Sequence, residues 1–222
     1  MNPWLLLLAF AMICRAEVID RIAVIVGPSV ITESEILREI RLTGFLNGDP
    51  LDFSAASKRK TAERMVEQRL IQIENEASLY PPPSAESVEQ ALKEVEKRLA
   101  NPARYTEELQ RTGIKEADLK AHLQRQLTTL RFLDLRFRPG VQITDAEISA
   151  YFEQRLAPDL RKSHPGEELS PNDYREQIEQ ALVAERVDKA SDAWLKESRV
   201  HTHIEFRSNV FTTEPAPQEA VK

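Results

Sequence analysis

Residues 21–36 of this 222-residue chain read RIAVIVGPSVITESEI, and this stretch decides the fold. Its first part is rich in β-branched residues and ends at a Gly-Pro dipeptide, a pattern typical of a strand that enters a turn. A short return strand follows. Thr32 can then cap a helix N-terminus, and Glu35 three residues later can complete a capping box. We therefore predict a β-hairpin that leads directly into a helix.

Apolar residues further along the chain recur at three- and four-residue spacing, which is typical of amphipathic helices. We predict helices over residues 54–79, 84–99, 106–111 and 115–136, and further helices that begin near residues 144 and 171. Residues 200–207 alternate between polar and apolar side chains and are predicted to form a strand. A lone terminal strand needs partners for its backbone groups, so we expect it to pair with the N-terminal hairpin. The predicted fold class is mostly α, with about six helices and a small sheet formed by the N-terminal hairpin and the C-terminal strand.

The first residues of the chain, MNPWLLLLAFAMICRA, have the features of a cleavable secretory signal peptide, which we place at residues 1–16. Their apolar run of about ten residues is too short to span a bilayer as a helix. A buried N-terminal helix and a retained anchor are the alternatives. The one cysteine, Cys14, lies in this segment, so the exported chain would have no disulfide and no thiol nucleophile. These features predict a periplasmic protein without stable membrane insertion.

The chain is acidic, with 30 Lys and Arg residues against 36 Asp and Glu residues and a net charge of −6. Non-specific nucleic-acid binding depends on clustered Lys and Arg, so we predict no nucleic-acid partner. The sequence contains no G-x-S-x-G motif, no P-loop and no dinucleotide glycine pattern. We therefore predict no catalytic residues and no cofactor.

Two histidines, His201 and His203, lie two residues apart in the predicted terminal strand and would share a face with Glu205. Two imidazoles on one face can bind a metal ion, but a closed zinc site usually has about four ligands. A solvated polar face accounts for the same pattern, and we predict no metal site. His122, beside a leucine stripe, and His164, in a loop, are predicted to be surface residues.

Several longer segments follow one another in an order that points to a known family. After the hairpin they read AERMVEQRLIQIENEASLY (62–80), YTEELQRTGIKEADLKAHLQRQLTTLRFLDLRF (105–137), VQITDAEISAYFEQ (141–154) and YREQIEQALVAERVDKASDAWLKESRVHTHIEF (174–206). In this order they resemble the SurA-type periplasmic chaperones, a family that includes PpiD-like and PrsA-like proteins. The resemblance implies a SurA N-terminal-domain-like, trigger-factor-like chaperone core that binds unfolded outer-membrane proteins. In that family a parvulin-type prolyl isomerase domain usually interrupts the core, whereas residues 157–170 here are predicted to be a short polar loop.

These observations predict a single SurA-like core over residues 17–208, built from residues 17–156 and 171–208 and followed by a disordered tail over residues 209–222. The expected function is that of an ATP-independent holdase for unfolded or nascent outer-membrane and other secreted proteins, without prolyl isomerase activity. A non-catalytic envelope subunit that binds one folded partner is the first alternative. An enzyme, including a minimal isomerase, is the second.

Client binding requires apolar surface that is surrounded by charge, and apolar residues outside the helical stripes are the candidates for it. Leu46, Leu51 and Phe53 lie in or beside a polar turn. Phe132 and Leu135 lie on roughly the opposite side of their helix from the leucine stripe. Both groups are predicted to bind peptide, with ordinary core packing as the alternative.

Overall fold

The computed structural model of the protein describes residues 20–99, 101–163 and 169–212. The predicted signal peptide at residues 1–16 and His164 lie outside these ranges. Within them, no helix combines the length and the apolar character that crossing a membrane would require.

The two ends of the described chain meet in one small antiparallel sheet. Strands β1 (Ile22–Val26) and β2 (Ser29–Thr32) form the N-terminal hairpin, and β3 (Ile204–Phe206) pairs with the other edge of β1, so the strand order is β2-β1-β3. In this register Val24 lies opposite Phe206 and Val26 lies opposite Ile204. The predicted pairing of the terminal strand with the hairpin is confirmed, as is the mostly helical fold class.

The helices are α1 (Glu33–Asn47), α2 (Ala55–Ser78), α3 (Ala85–Arg98), α4 (Pro102–Thr112), α5 (Glu116–Phe137), α6 (Asp145–Tyr151), α7 (Ala157–Ser163) and α8 (Arg175–His201). Their N-termini follow the local sequence signals. Thr32 and Thr144 each form a complete capping box, with Glu35 and Glu147 as the returning carboxylates. Ser84 accepts a hydrogen bond from a backbone N–H of the first turn of α3. These caps satisfy donors that a helix N-terminus otherwise leaves unpaired.

The predicted strand over residues 200–207 is wrong in its first half, because α8 continues to His201. The last turns of α8 are held against α2 by Arg199, whose guanidinium lies 3.4 Å from carboxylate oxygens of Glu63 and Glu67. This contact favours helix where the alternating pattern alone favours strand, and only Ile204–Phe206 remains as β3.

The predicted loop over residues 157–170 is also wrong at its start. Helix α6 continues through a π-helical turn at Phe152–Leu156 directly into α7. Phe152 and Ala157 are fully buried and pack with Ile148 and Ile178 in a small cluster between α6, α7 and α8. Burial of these side chains explains why the segment is helical despite its polar composition.

The prediction of a disordered tail over residues 209–222 is wrong at its start. Residues Ser208–Val210 form a 3-10 turn, and the Val210 side chain is buried against the sheet. The ring of Phe211 packs on Phe206, with ring centroids 5.9 Å apart. Residues 213–222 lie outside the described ranges.

Among the described residues, three hydrophobic clusters stabilise the fold. The first joins the sheet to α1 and α2 and includes Val24, Ile36 and Val66. The second joins the C-terminal half of α1 to α3, α4 and α5, with Leu92 and Leu119 among its buried residues. The third is the cluster between α6, α7 and α8. Helix α1 takes part in the first two clusters, so its orientation fixes that of α2 relative to α5.

Helix α2 ends at a left-handed residue that is not glycine. Leu79 has φ 54° and ψ 32° and is 87% exposed, whereas Gly48 and Gly113 occupy the equivalent positions after α1 and α4. The left-handed conformation costs an L-residue about 1–2 kcal/mol. We expect Leu79→Gly to raise the free energy of unfolding by about 1 kcal/mol in urea denaturation, part of the gain being offset by glycine entropy. Leu79→Ala keeps the Cβ atom and should leave the free energy unchanged; equal values for the two variants would contradict the expectation.

Candidate functional site

A cleft of about 850 Å³ opens between α1, α2 and α5. Its lining comprises Glu35, Arg38, Glu39 and Leu42 from α1; Met65, Gln68, Arg69, Ile71, Gln72, Asn75 and Glu76 from α2; and Ala121, His122, Gln124, Arg125, Gln126, Thr128, Thr129 and Leu130 from α5. Ligand pockets in proteins have volumes of roughly 300–1,000 Å³. The cleft is therefore large enough to hold a small ligand or a short segment of polypeptide.

Neutral polar side chains line much of this cleft. The side-chain amides of Gln68, Asn75, Gln124 and Gln126 make no hydrogen bond to any described residue. Each amide offers two N–H donors and an acceptor oxygen. The walls can therefore exchange hydrogen bonds with either the N–H or the C=O groups of a ligand.

Apolar side chains complete the lining, and most of the charged ones have partners. Leu42 and Ile71 are buried at the cleft, whereas Leu130 is 62% exposed on its edge. Arg69 lies 3.5 Å from a carboxylate oxygen of Glu35. Arg38 lies 3.8 Å from Asp118 on α5. Within each pair the two charges partly neutralise each other. The cleft therefore favours a ligand that is itself uncharged and partly apolar.

A buried acid–base pair lies in the cleft, where α1 meets α5. The Nδ1 atom of His122 is 3.1 Å from the Oε2 atom of Glu39, and both side chains are 5% exposed. The prediction that His122 is a surface residue is therefore wrong. Its neighbours Leu119 and Leu123 belong to the buried face of α5, and His122 faces inward with them because Glu39 supplies a hydrogen-bonding partner.

The surroundings of Glu39 keep its carboxylate ionised. Burial alone would raise the pKa of Glu39, but the hydrogen bond from His122 and the electrostatic interactions with His122, Arg64 and Arg125 together lower that pKa below its ordinary value. The Arg64 guanidinium lies 3.7 Å from the Oε1 atom of Glu39 and also donates to the Thr43 hydroxyl at 3.1 Å. An ionised carboxylate only accepts hydrogen bonds, so Nδ1 of His122 must carry the proton that it donates.

One signal in the sequence could have found this pair. Glu39 lies between Ile36 and Ile40, on the face of α1 that is buried. A carboxylate on a buried face requires a partner, and a histidine at a buried helical position is a suitable one. Nothing in the sequence indicated that residues 39 and 122, which are far apart in the chain, would be hydrogen-bonded to each other.

The predicted peptide-binding residues do not form one surface. Phe132 is fully buried, so its prediction as a client-binding residue is wrong. Leu46 packs against the second hydrophobic cluster, and a methyl of Leu51 lies over Gly44, 2.6 Å from where a Cβ atom would be placed. Phe53 lies beneath the Arg41 guanidinium, 5.4 Å from its centre.

Leu135 is the remaining predicted residue and is 38% exposed on α5. It does not line the cleft, and neither do Leu46, Leu51, Phe53 and Phe132. The cleft itself was not predicted, because it depends on how α1, α2 and α5 are oriented rather than on any short pattern.

The two histidines near the C-terminus lie on different elements. His201 ends α8, whereas His203 follows it, with its Nε2 atom 3.6 Å from Glu205 on β3. They therefore do not share one strand face. Across residues 20–99, 101–163 and 169–212, no group of three His, Cys, Asp or Glu side chains is placed to hold a metal ion.

In comparisons with known proteins, no family model matches this chain, and no curated protein is significantly similar to it in sequence.

Proposed function

We propose that this protein is an ATP-independent chaperone that holds short uncharged segments of unfolded polypeptide in the cleft between α1, α2 and α5. The observation that supports the proposal is the composition of the cleft. Apolar side chains there can bury client side chains, which is favourable without an energy source. Unpartnered amides can pair with the client main chain, which is the same in every sequence. Such a surface suits many clients rather than one.

The dimensions of the cleft indicate the length of the bound segment. Its α2 wall runs from Met65 to Glu76, which is about 17 Å at a helical rise of 1.5 Å per residue. An extended chain rises about 3.3 Å per residue. The wall therefore matches about five residues of an extended client.

We further propose that the clients are unfolded outer-membrane or other envelope proteins, that the protein acts in the periplasm, and that it is not a prolyl isomerase. The apolar N-terminal segment and the resemblance to SurA-type chaperones support the location and the client class. The segment between α6 and α8 supports the absence of isomerase activity, because it spans just residues 152–174, and its described part consists of α7 and short helical turns on either side. No separate domain that could twist an X-Pro bond over its barrier of about 18–20 kcal/mol fits there.

The proposal predicts that a charge placed in the cleft weakens chaperone activity. We expect Leu130→Glu to reduce suppression of aggregation of a denatured outer-membrane protein by about tenfold in effective concentration, because a carboxylate resists burial against apolar client side chains. Light scattering of the client at several molar ratios measures the effect. The parent protein should not accelerate isomerisation of a proline-containing model peptide.

A matched control is Val200→Glu, which adds the same charge at a residue that is 80% exposed and lies outside the cleft. It should suppress aggregation like the parent. Equal loss of activity in both variants would reject the cleft as the site, and a parent that fails to suppress aggregation would reject the chaperone itself. Protection of only one client would instead favour the alternative of an assembly subunit with a single partner.

A further inference from the structure

The Glu39–His122 pair leaves one ring nitrogen of His122 without a partner. The Nδ1 atom is engaged by Glu39, while the Nε2 atom makes no hydrogen bond to any described residue. His122 is nevertheless more than nine-tenths buried and lines the cleft. No buried side-chain nitrogen or oxygen among the described residues is both sealed from solvent and unpaired, so Nε2 must reach the open space of the cleft. A histidine held in this way has its free nitrogen directed at whatever the cleft contains.

We propose that Nε2 of His122 accepts a hydrogen bond from a main-chain N–H of a polypeptide bound in the cleft, and that this contact contributes to the affinity for the polypeptide. The inference rests on the proposed function, since it names the contact that the cleft makes with its client. Glu39 fixes the proton on Nδ1, so in the neutral ring Nε2 has a free lone pair. The surrounding amides can both donate and accept, whereas this nitrogen can only accept while the ring is neutral.

The test measures the affinity of the full chain for a capped, uncharged peptide of Val, Thr, Asn and Gly with a neutral fluorescent label, by fluorescence anisotropy. His122→Asn keeps an amide that can donate to Glu39 but removes the Nε2 position. We expect this variant to bind the peptide about five- to tenfold more weakly than the parent protein, which is the size of one lost hydrogen bond.

Two further comparisons keep the test decisive if His122→Asn folds poorly. His122→Gln places an amide near the Nε2 position and should retain part of the affinity. On the parent protein, a peptide whose central N–H groups are replaced by ester oxygens should bind more weakly than the amide peptide. Amide and ester peptides that the parent binds alike, or a folded His122→Asn variant that binds like the parent, would overturn the inference while leaving the proposed function intact. Absence of peptide binding by the parent would overturn both.

Discussion

Replacement of Phe132 by alanine is expected to lower the free energy of unfolding by about 3–5 kcal/mol, the usual cost of truncating a buried aromatic side chain. The ring is fully buried and lies at the centre of an aromatic cluster. Its centroid is 6.0 Å from that of Tyr80, 6.0 Å from that of Phe137 and 5.4 Å from that of Trp194. Tyr80 follows α2 and Trp194 is on α8, so the cluster connects three helices that the main hydrophobic clusters join only in part.

Equilibrium denaturation in urea measures this loss, and Phe53→Ala is its matched control. Phe53 is 38% exposed and contacts Arg41 through a cation–π interaction at 5.4 Å. An exposed contact of this kind is worth about 0.5–1 kcal/mol. Similar losses in the two variants would mean that Phe132 is not the centre of a packed cluster. Neither Phe53 nor Phe132 lines the cleft. A loss of stability limited to Phe132→Ala would therefore reflect folding rather than client binding.

Local signals in the sequence were sufficient for most of the architecture. The capping boxes at Thr32 and Thr144 act within four residues, so each could be recognised without knowing the fold. The pairing of β3 with β1 followed from the need of a lone strand for backbone partners. Predictions failed where a distant contact overrode a local pattern. The C-terminal end of α8 is one example, because Arg199 reaches Glu63 and Glu67 on another helix.

The candidate site depends on such distant contacts almost entirely. The position of Phe132 on α5 suggested an exposed residue because it lies away from the leucine stripe. The stripe residues Leu119 and Leu123, however, pack into the second hydrophobic cluster, and the helix also contacts α2 and α8 on other sides. The same arrangement buries His122 and leaves Leu130 exposed. A helix at the centre of a bundle needs more than one apolar face, and its periodicity alone does not say which face stays open.

A chain that ends at His203 is expected to lose its cooperative unfolding transition. The truncation removes β3 and the 3-10 turn that follows it. Residues Ile204, Phe206, Val210 and Phe211 all pack against the cluster that joins the sheet to α1 and α2. The truncation also removes the backbone hydrogen bond, 2.9 Å long, from the Arg207 N–H to the Ala23 carbonyl. Each buried side chain of this size contributes about 1.5–3 kcal/mol to the free energy of unfolding. The total free energy of unfolding of a domain of this kind is about 5–15 kcal/mol, so the truncation removes a large part of it.

A second truncated chain, ending at Thr212, isolates the cause. It retains β3, Val210 and Phe211, together with the Arg59 guanidinium stacked 3.6 Å from the centre of the Phe206 ring. Thermal unfolding of the two chains, followed by far-ultraviolet circular dichroism, should give a sharp transition for the longer chain and a broad, non-cooperative loss of helix for the shorter one. Comparable sharp transitions would show that the hairpin and α2 are stable without β3. In that case the pairing of the chain ends would contribute little to stability, and the contacts among α1, α2 and α5 would maintain the cleft without it.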